Sequence, residues 1–71
     1  MIDIKLQLGN AHFEFIKGIE GVSIREFGLE SSDKTHVYIT SHIVHNEINK
    51  SVVSTLNPAT SDISHKIYSN D

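Results

Sequence analysis

The chain has 71 residues, no cysteine and a formal net charge of −3, which leaves room for one small domain and excludes disulfides and thiolate metal sites. Its basic residues, Lys5, Lys17, Arg25, Lys34, Lys50 and Lys66, never cluster, so no stripe for a phosphate backbone is visible and nucleic acid is not an expected partner. No stretch approaches the roughly 20 apolar residues of a membrane-spanning helix, and no basic segment precedes a continuous apolar run, so no membrane partner and a cytoplasmic location are expected.

Ile2, Ile4, Leu6 and Leu8 alternate with Asp3, Lys5 and Gln7, the period of a half-buried strand. Gly9-Asn10 follows, and Ala11, Phe13 and Phe15 then alternate with His12 and Glu14. Gly at the first central position suits a type II′ turn. The pattern predicts a β-hairpin over residues 2–17, with Leu6 facing Phe13, Ile4 facing Phe15 and Lys5 opposite Glu14.

Gly18-Ile19-Glu20-Gly21 reads as the next turn. Val22 and Ile24 resume the alternation, and the phase slips at Glu26-Phe27-Gly28; a glycine inside a strand pattern signals a bulge. Ser31-Ser32-Asp33-Lys34 is a polar turn, after which Val37, Ile39 and Ile43 fall at even spacing. Over residues 44–57, Val44, Ile48, Val52 and Leu56 recur every four positions, a helical spacing. The same stretch is rich in Asn, Ser, Thr and Val, mediocre helix formers. The preferred reading is a strand after a loop at residues 46–49, with Ile43 facing Val52 and Ile39 facing Leu56. Asn57-Pro58 ends the element, and Ile63, His65 and Ile67 suggest a short last strand.

These elements predict a mainly β fold: a small antiparallel meander or open barrel that starts with a β-hairpin. The alternative is an α+β sheet carrying one helix near residues 44–56. The expected core is Ile4, Leu6, Phe13, Phe15, Val22, Ile24, Ile39, Ile43 and Val52.

Few residues point to chemistry. His42 and His45 have HxxH spacing, and His36 and His65 could join them, because imidazole is a zinc ligand. On a strand, however, positions 42 and 45 point to opposite faces. Ser32, Asp33 and His36, and Ser61, Asp62 and His65, lie near one another in sequence, but triads are defined by geometry and no G-x-S-x-G elbow is present. The glycines match no phosphate loop. No catalytic residue, cofactor or metal is therefore expected.

What remains is association with protein. Sheet edges invite pairing, and several apolar residues fall outside the predicted buried faces. The leading expectation is a non-enzymatic protein-interaction module: an oligomeric structural protein, inhibitor or adaptor that acts by apolar patch burial and edge-strand pairing. Its partner is another protein or, more readily, a second copy of itself. The expected contact residues are Ile16, Ile19, Phe27 and Tyr38. The rival is a small ligand- or metal-binding domain using His36, His42 and His45, and a nucleic-acid-binding β domain ranks third.

Overall fold

A computed structural model describes residues 4–69. One helix, α1 (Ile4–Lys17), precedes four strands: β1 (Val22–Ser32), β2 (Val37–His45), β3 (Ile48–Asn57) and β4 (Asp62–Ser69). The strands form one antiparallel sheet in the order β1-β2-β3-β4, so the mainly β meander expected from the alternation is the architecture found. The sheet is open, and α1 covers the middle of one face.

The opening hairpin is not formed. Residues 4–17 are helical, and positions 2 and 3 of the expected hairpin lie outside the described residues. The buried positions of α1 are Leu8, His12 and Ile16, four residues apart and so stacked on one face of a helix. Period-two alternation hides this pattern because it counts His12 as a polar, outward residue. In the helix Leu6 and Leu8 separate, the first 62% exposed and the second 0%. Lys5 and Glu14, nine positions apart, fall on opposite sides of the cylinder rather than facing one another. Gly9 is helical rather than a turn residue, and a Cβ placed there would lie 3.8 Å from Ile39 Cδ1.

α1 ends where the sequence stops favouring it. Lys17 in the last turn complements the negative end of the helix dipole. The Ile19 N–H then donates to the Ile16 carbonyl at 3.0 Å, tightening the final turn. Gly21 takes a positive φ of 76°, and the chain turns into β1.

β1 carries the expected irregularity. Its register on β2 shifts between Ile24 and Glu26 and again between Glu26 and Leu29. Gly28 lies in the second gap with a φ of 82°, a conformation that glycine adopts without the steric cost a Cβ would bring.

The segment over residues 44–56 contains no helix. β2 and β3 join through Asn46 and Glu47, both with positive φ (53° and 65°), as in a type I′ turn. This turn has two residues rather than the four expected, so the register is displaced by two: Ile43 pairs with Lys50, Ser41 with Val52 and Ile39 with Ser54. A shift of two keeps every side chain on its face. The helix-facing rows are Ile39, Ser41 and Ile43 in β2 and Val52, Ser54 and Leu56 in β3, all buried.

The core therefore differs from the expected one. Ile39, Ile43 and Val52 are buried as expected, but the other apolar core members are Leu8, Ile16 and Leu56. Ile4, Leu6, Phe13 and Ile24 are exposed, and Phe15 and Val22 are half-buried. For Ile4, Leu6, Phe13 and Phe15 the helix is the reason: it turns each residue by about 100°, so residues that would share one strand face are spread around its circumference; Val22 and Ile24 lie in β1, an edge strand of the sheet.

Candidate functional site

The interface between α1 and the sheet is built in three layers, each with one residue from α1, β2 and β3. Leu8, Ile39 and Leu56 form one apolar layer, and Ile16, Ile43 and Val52 another. Between them lie His12, Ser41 and Ser54, each 0% exposed. The layers match because four helical residues rise about 6 Å and two strand residues rise about 6.6 Å. Ser41 and Ser54 thus occupy the central inward position of their strands, opposite the central residue of the helix face.

The polar layer is fully bonded. His12 Nε2 lies 2.6 Å from Ser41 Oγ, and Nδ1 lies 2.7 Å from Ser54 Oγ. The Gly28 N–H donates to Ser41 Oγ at 3.2 Å. Ser54 Oγ lies 2.6 Å from His65 Nδ1, and the His65 ring stacks on Phe15 at a centroid distance of 4.4 Å. The Phe27 ring tilts against His12 at 5.5 Å. Among the described residues no buried side-chain polar atom lacks a partner.

Counting donors and acceptors assigns the protons. A neutral imidazole has one donor and one acceptor nitrogen, and a serine has one O–H. If the Ser41 O–H donates to His12 Nε2, then His12 Nδ1–H donates to Ser54 Oγ, and the Ser54 O–H donates to His65 Nδ1. Every proton from Ser41 to His65 Nδ1 then has an acceptor, and the remaining N–H, on Nε2 of the half-buried His65, lies at the outer end of the chain. The reverse direction makes Ser41 accept from His12 while it also accepts from Gly28, and its own proton is left without a target in the interior. The chain therefore runs one way, from Gly28 in β1 through β2, α1 and β3 to His65 in β4.

Burial lowers the pKa of His12 below the usual histidine value, and the nearby His65 lowers it further. Burial also lowers that of His65. Both effects agree with the bonding, which has a place for the neutral rings and none for a second proton on His12. The Ser–His distances are those of a nucleophile and its base, but Ser41 and Ser54 are sealed between sheet and helix, so neither hydroxyl is offered to a substrate in this conformation.

The expected contact residues fall in different places. Ile16 is in the core and unavailable to a partner. Ile19 is partly buried against the Ile16 layer. Tyr38 is half-buried on the face away from α1, where its O–H donates to Asp33 Oδ2 at 2.7 Å. Phe27 is 46% exposed and meets Phe13, itself 45% exposed, edge to face at 5.9 Å. Leu6 lies seven residues before Phe13 on the same helical stripe, and with Gly9, Phe27 and Ile39 it lines a groove of about 430 Å³ between α1 and β1, with Lys5 and Glu30 also on its walls.

The histidines of the rival reading stay apart. His36 lies in the β1–β2 turn; its backbone N–H and that of Thr35 donate to Asp33 Oδ1 at 2.9 and 2.8 Å. His42 bonds Ser51 on the open face at 3.0 Å and flanks a second, polar groove of about 470 Å³ with Arg25, Glu26, Asn49 and Lys50. His45 accepts from Lys50 Nζ at 3.1 Å. Among the described residues no three His, Asp or Glu side chains are grouped to hold a metal ion. Of the two serine–histidine neighbourhoods in the sequence, neither closes as a triad: Asp33 caps its own turn, and His65 bonds Ser54 rather than Ser61.

The four-residue polar chain was missed because each member looks ordinary in its own segment. A signal does exist: Ser41 and Ser54 interrupt the inward rows Ile39–Ile43 and Val52–Leu56, and His12 interrupts the helical row Leu8–Ile16. No family model, curated protein or solved structure matches the chain.

Proposed function

We propose that this chain is a non-enzymatic protein-interaction module whose contact surface is the apolar strip along α1 and β1, made by Leu6, Phe13 and Phe27. The observation that carries the reading is the joint exposure of these three side chains, with Leu6 and Phe27 lining one groove and Phe13 packed edge to face on Phe27. Large exposed apolar groups gathered in one place mark interaction sites, whereas scattered ones do not. Aromatic anchors set in a groove are the kind of residue that dominates binding energy.

The first partner is a second copy of the chain. The strip is apolar at Leu6, Phe13 and Phe27 and carries one charge of each sign at its groove, Lys5 and Glu30, so it can meet itself across a two-fold axis, the commonest arrangement of small homo-oligomers. Packing through side chains also suits β1, because its two register shifts spoil it as a template for strand addition. β4 is the more regular edge and offers main-chain pairing as a subsidiary route, although Lys66 near its centre is a typical guard of such edges.

Sedimentation of the pure chain over a range of concentrations tests the reading. Self-association is expected, and Leu6→Lys with Phe13→Lys should abolish it while Gln7→Lys with Glu14→Gln, on the outer helix face, should not. A chain that stays monomeric at all concentrations, or an assembly indifferent to the Leu6 and Phe13 changes, would overturn the proposed surface.

A further inference from the structure

We propose that α1 is a proton-released cover: acid uptake at the His12–Ser41–Ser54–His65 chain lets the helix swing off the sheet before the sheet itself unfolds. The geometry rests on how differently the two layers are held. The strands are joined by backbone ladders, unbroken between β2 and β3 and between β3 and β4 and interrupted only at the two register shifts of β1, whereas α1 is held by its side chains and by the connection through Gly18-Ile19-Glu20-Gly21. One of the three layers that dock it is polar and has a place for each proton of the neutral state. A second proton on His12 would make both ring nitrogens donors. Ser41, already accepting from Gly28, would then have no acceptor for its own proton. An unpaired donor of this kind is costly only while it stays buried, so protonation favours the released state.

The surrounding charges do not offset this. His65, in β4, is the titratable group that acts on His12 through space, and it too would be cationic at low pH. On the helix-facing side, Glu30 of β1 is exposed, and Lys50 of β3 points to His45 of β2. On α1 itself, Lys5, Glu14 and Lys17 are exposed. Among the described residues no buried carboxylate is bonded to the imidazole to hold an added proton. Release would uncover Ile39, Ile43, Val52 and Leu56 on the sheet and Leu8 and Ile16 on the helix, a larger apolar surface than the strip used in the docked state.

The direction in pH follows from linkage. His12 and His65 titrate lower when docked than when released, so the released state binds more protons as pH falls through the ordinary histidine range. Docking is therefore complete above that range and weakens below it. Between about pH 7.5 and about pH 5.5 the docking equilibrium should fall by up to about tenfold for one proton and about a hundredfold for two.

Amide hydrogen exchange on the full chain, corrected for intrinsic rates, reads this directly. Protection over residues 4–17 should fall through that range while protection in β2 and β3 is kept. The dependence should shrink when the layer is made apolar by His12→Leu with Ser41→Ala and Ser54→Ala. Helix protection that stays flat with pH, helix and sheet protection lost together, or an unchanged slope in the apolar variant would each overturn the proposal. If the variant does not fold, imidazole ¹⁵N shifts of the unmodified chain decide. The proton is expected on Nδ1 of His12 and on Nε2 of His65, and an Nε2–H tautomer at His12 would refute the ordered chain.

Discussion

Leu6 and Leu8 are chemically identical and two residues apart, and replacing each by alanine separates the helix from any extended alternative. In α1 they lie about 200° apart around the axis. Leu8 is fully buried against Ile39 and Leu56, whereas Leu6 is 62% exposed. Truncating a buried leucine costs about 2–5 kcal/mol, the removed apolar atoms plus the cavity they leave. Leu8 belongs at the upper end of that range, because both its sheet neighbours are in paired central strands and cannot readily collapse inward. A core of this size supplies only about 3–5 kcal/mol in all, so Leu8→Ala should unfold much of the population at room temperature. At a concentration where the chain is monomeric, Leu6→Ala should change stability by no more than about 0.5 kcal/mol, the lost apolar contact being offset by alanine's higher helix propensity. Urea denaturation followed by circular dichroism measures both. Equal losses at the two positions would place them on a common face and refute the helical register.

Two further outcomes follow. Gly9→Ala should raise stability by about 0.5–1 kcal/mol, because the added methyl meets Ile39 Cδ1 at an ordinary 3.8 Å; a thermal melt that drops instead would point to a turn at this position. The phenol of Tyr38 is held above the usual tyrosine value chiefly by its hydrogen bond to Asp33, and the Asp33 carboxyl is held well below the usual carboxylate range, chiefly by the Thr35 N–H with help from Tyr38 and the His36 N–H. Asp33→Ala should therefore lower the Tyr38 titration toward the ordinary value near 10.0, read as phenolate absorbance, and an unchanged titration would show that the bond does not form in solution.

The strands were readable where two signals agreed. Val37, Ile39 and Ile43 alternate within β-branched surroundings, Pro58 ends β3, and Gly28 marks the slip in β1. Each is a local property that neighbouring structure reinforces. The β2–β3 turn was longer in expectation because Glu47 is an unusual residue for positive φ, and nothing in its chemistry announces that conformation. The polar layer could not be read segment by segment, since His12, Ser41, Ser54 and His65 come together only when four elements meet.

Residue order alone determined a cysteine-free chain with strand periodicity from Val22 onward and turns at Gly18-Gly21 and Asn57-Pro58, and hence a meander. Tertiary structure decided the state of residues 4–17. Their apolar positions satisfy a period of two as well as a stripe at every fourth residue, and the choice depends on whether His12 counts as polar or as core. An imidazole is either, according to what it meets; here two serines, placed by the register of β2 and β3, satisfy both its nitrogens and make the helical face the one that can be buried.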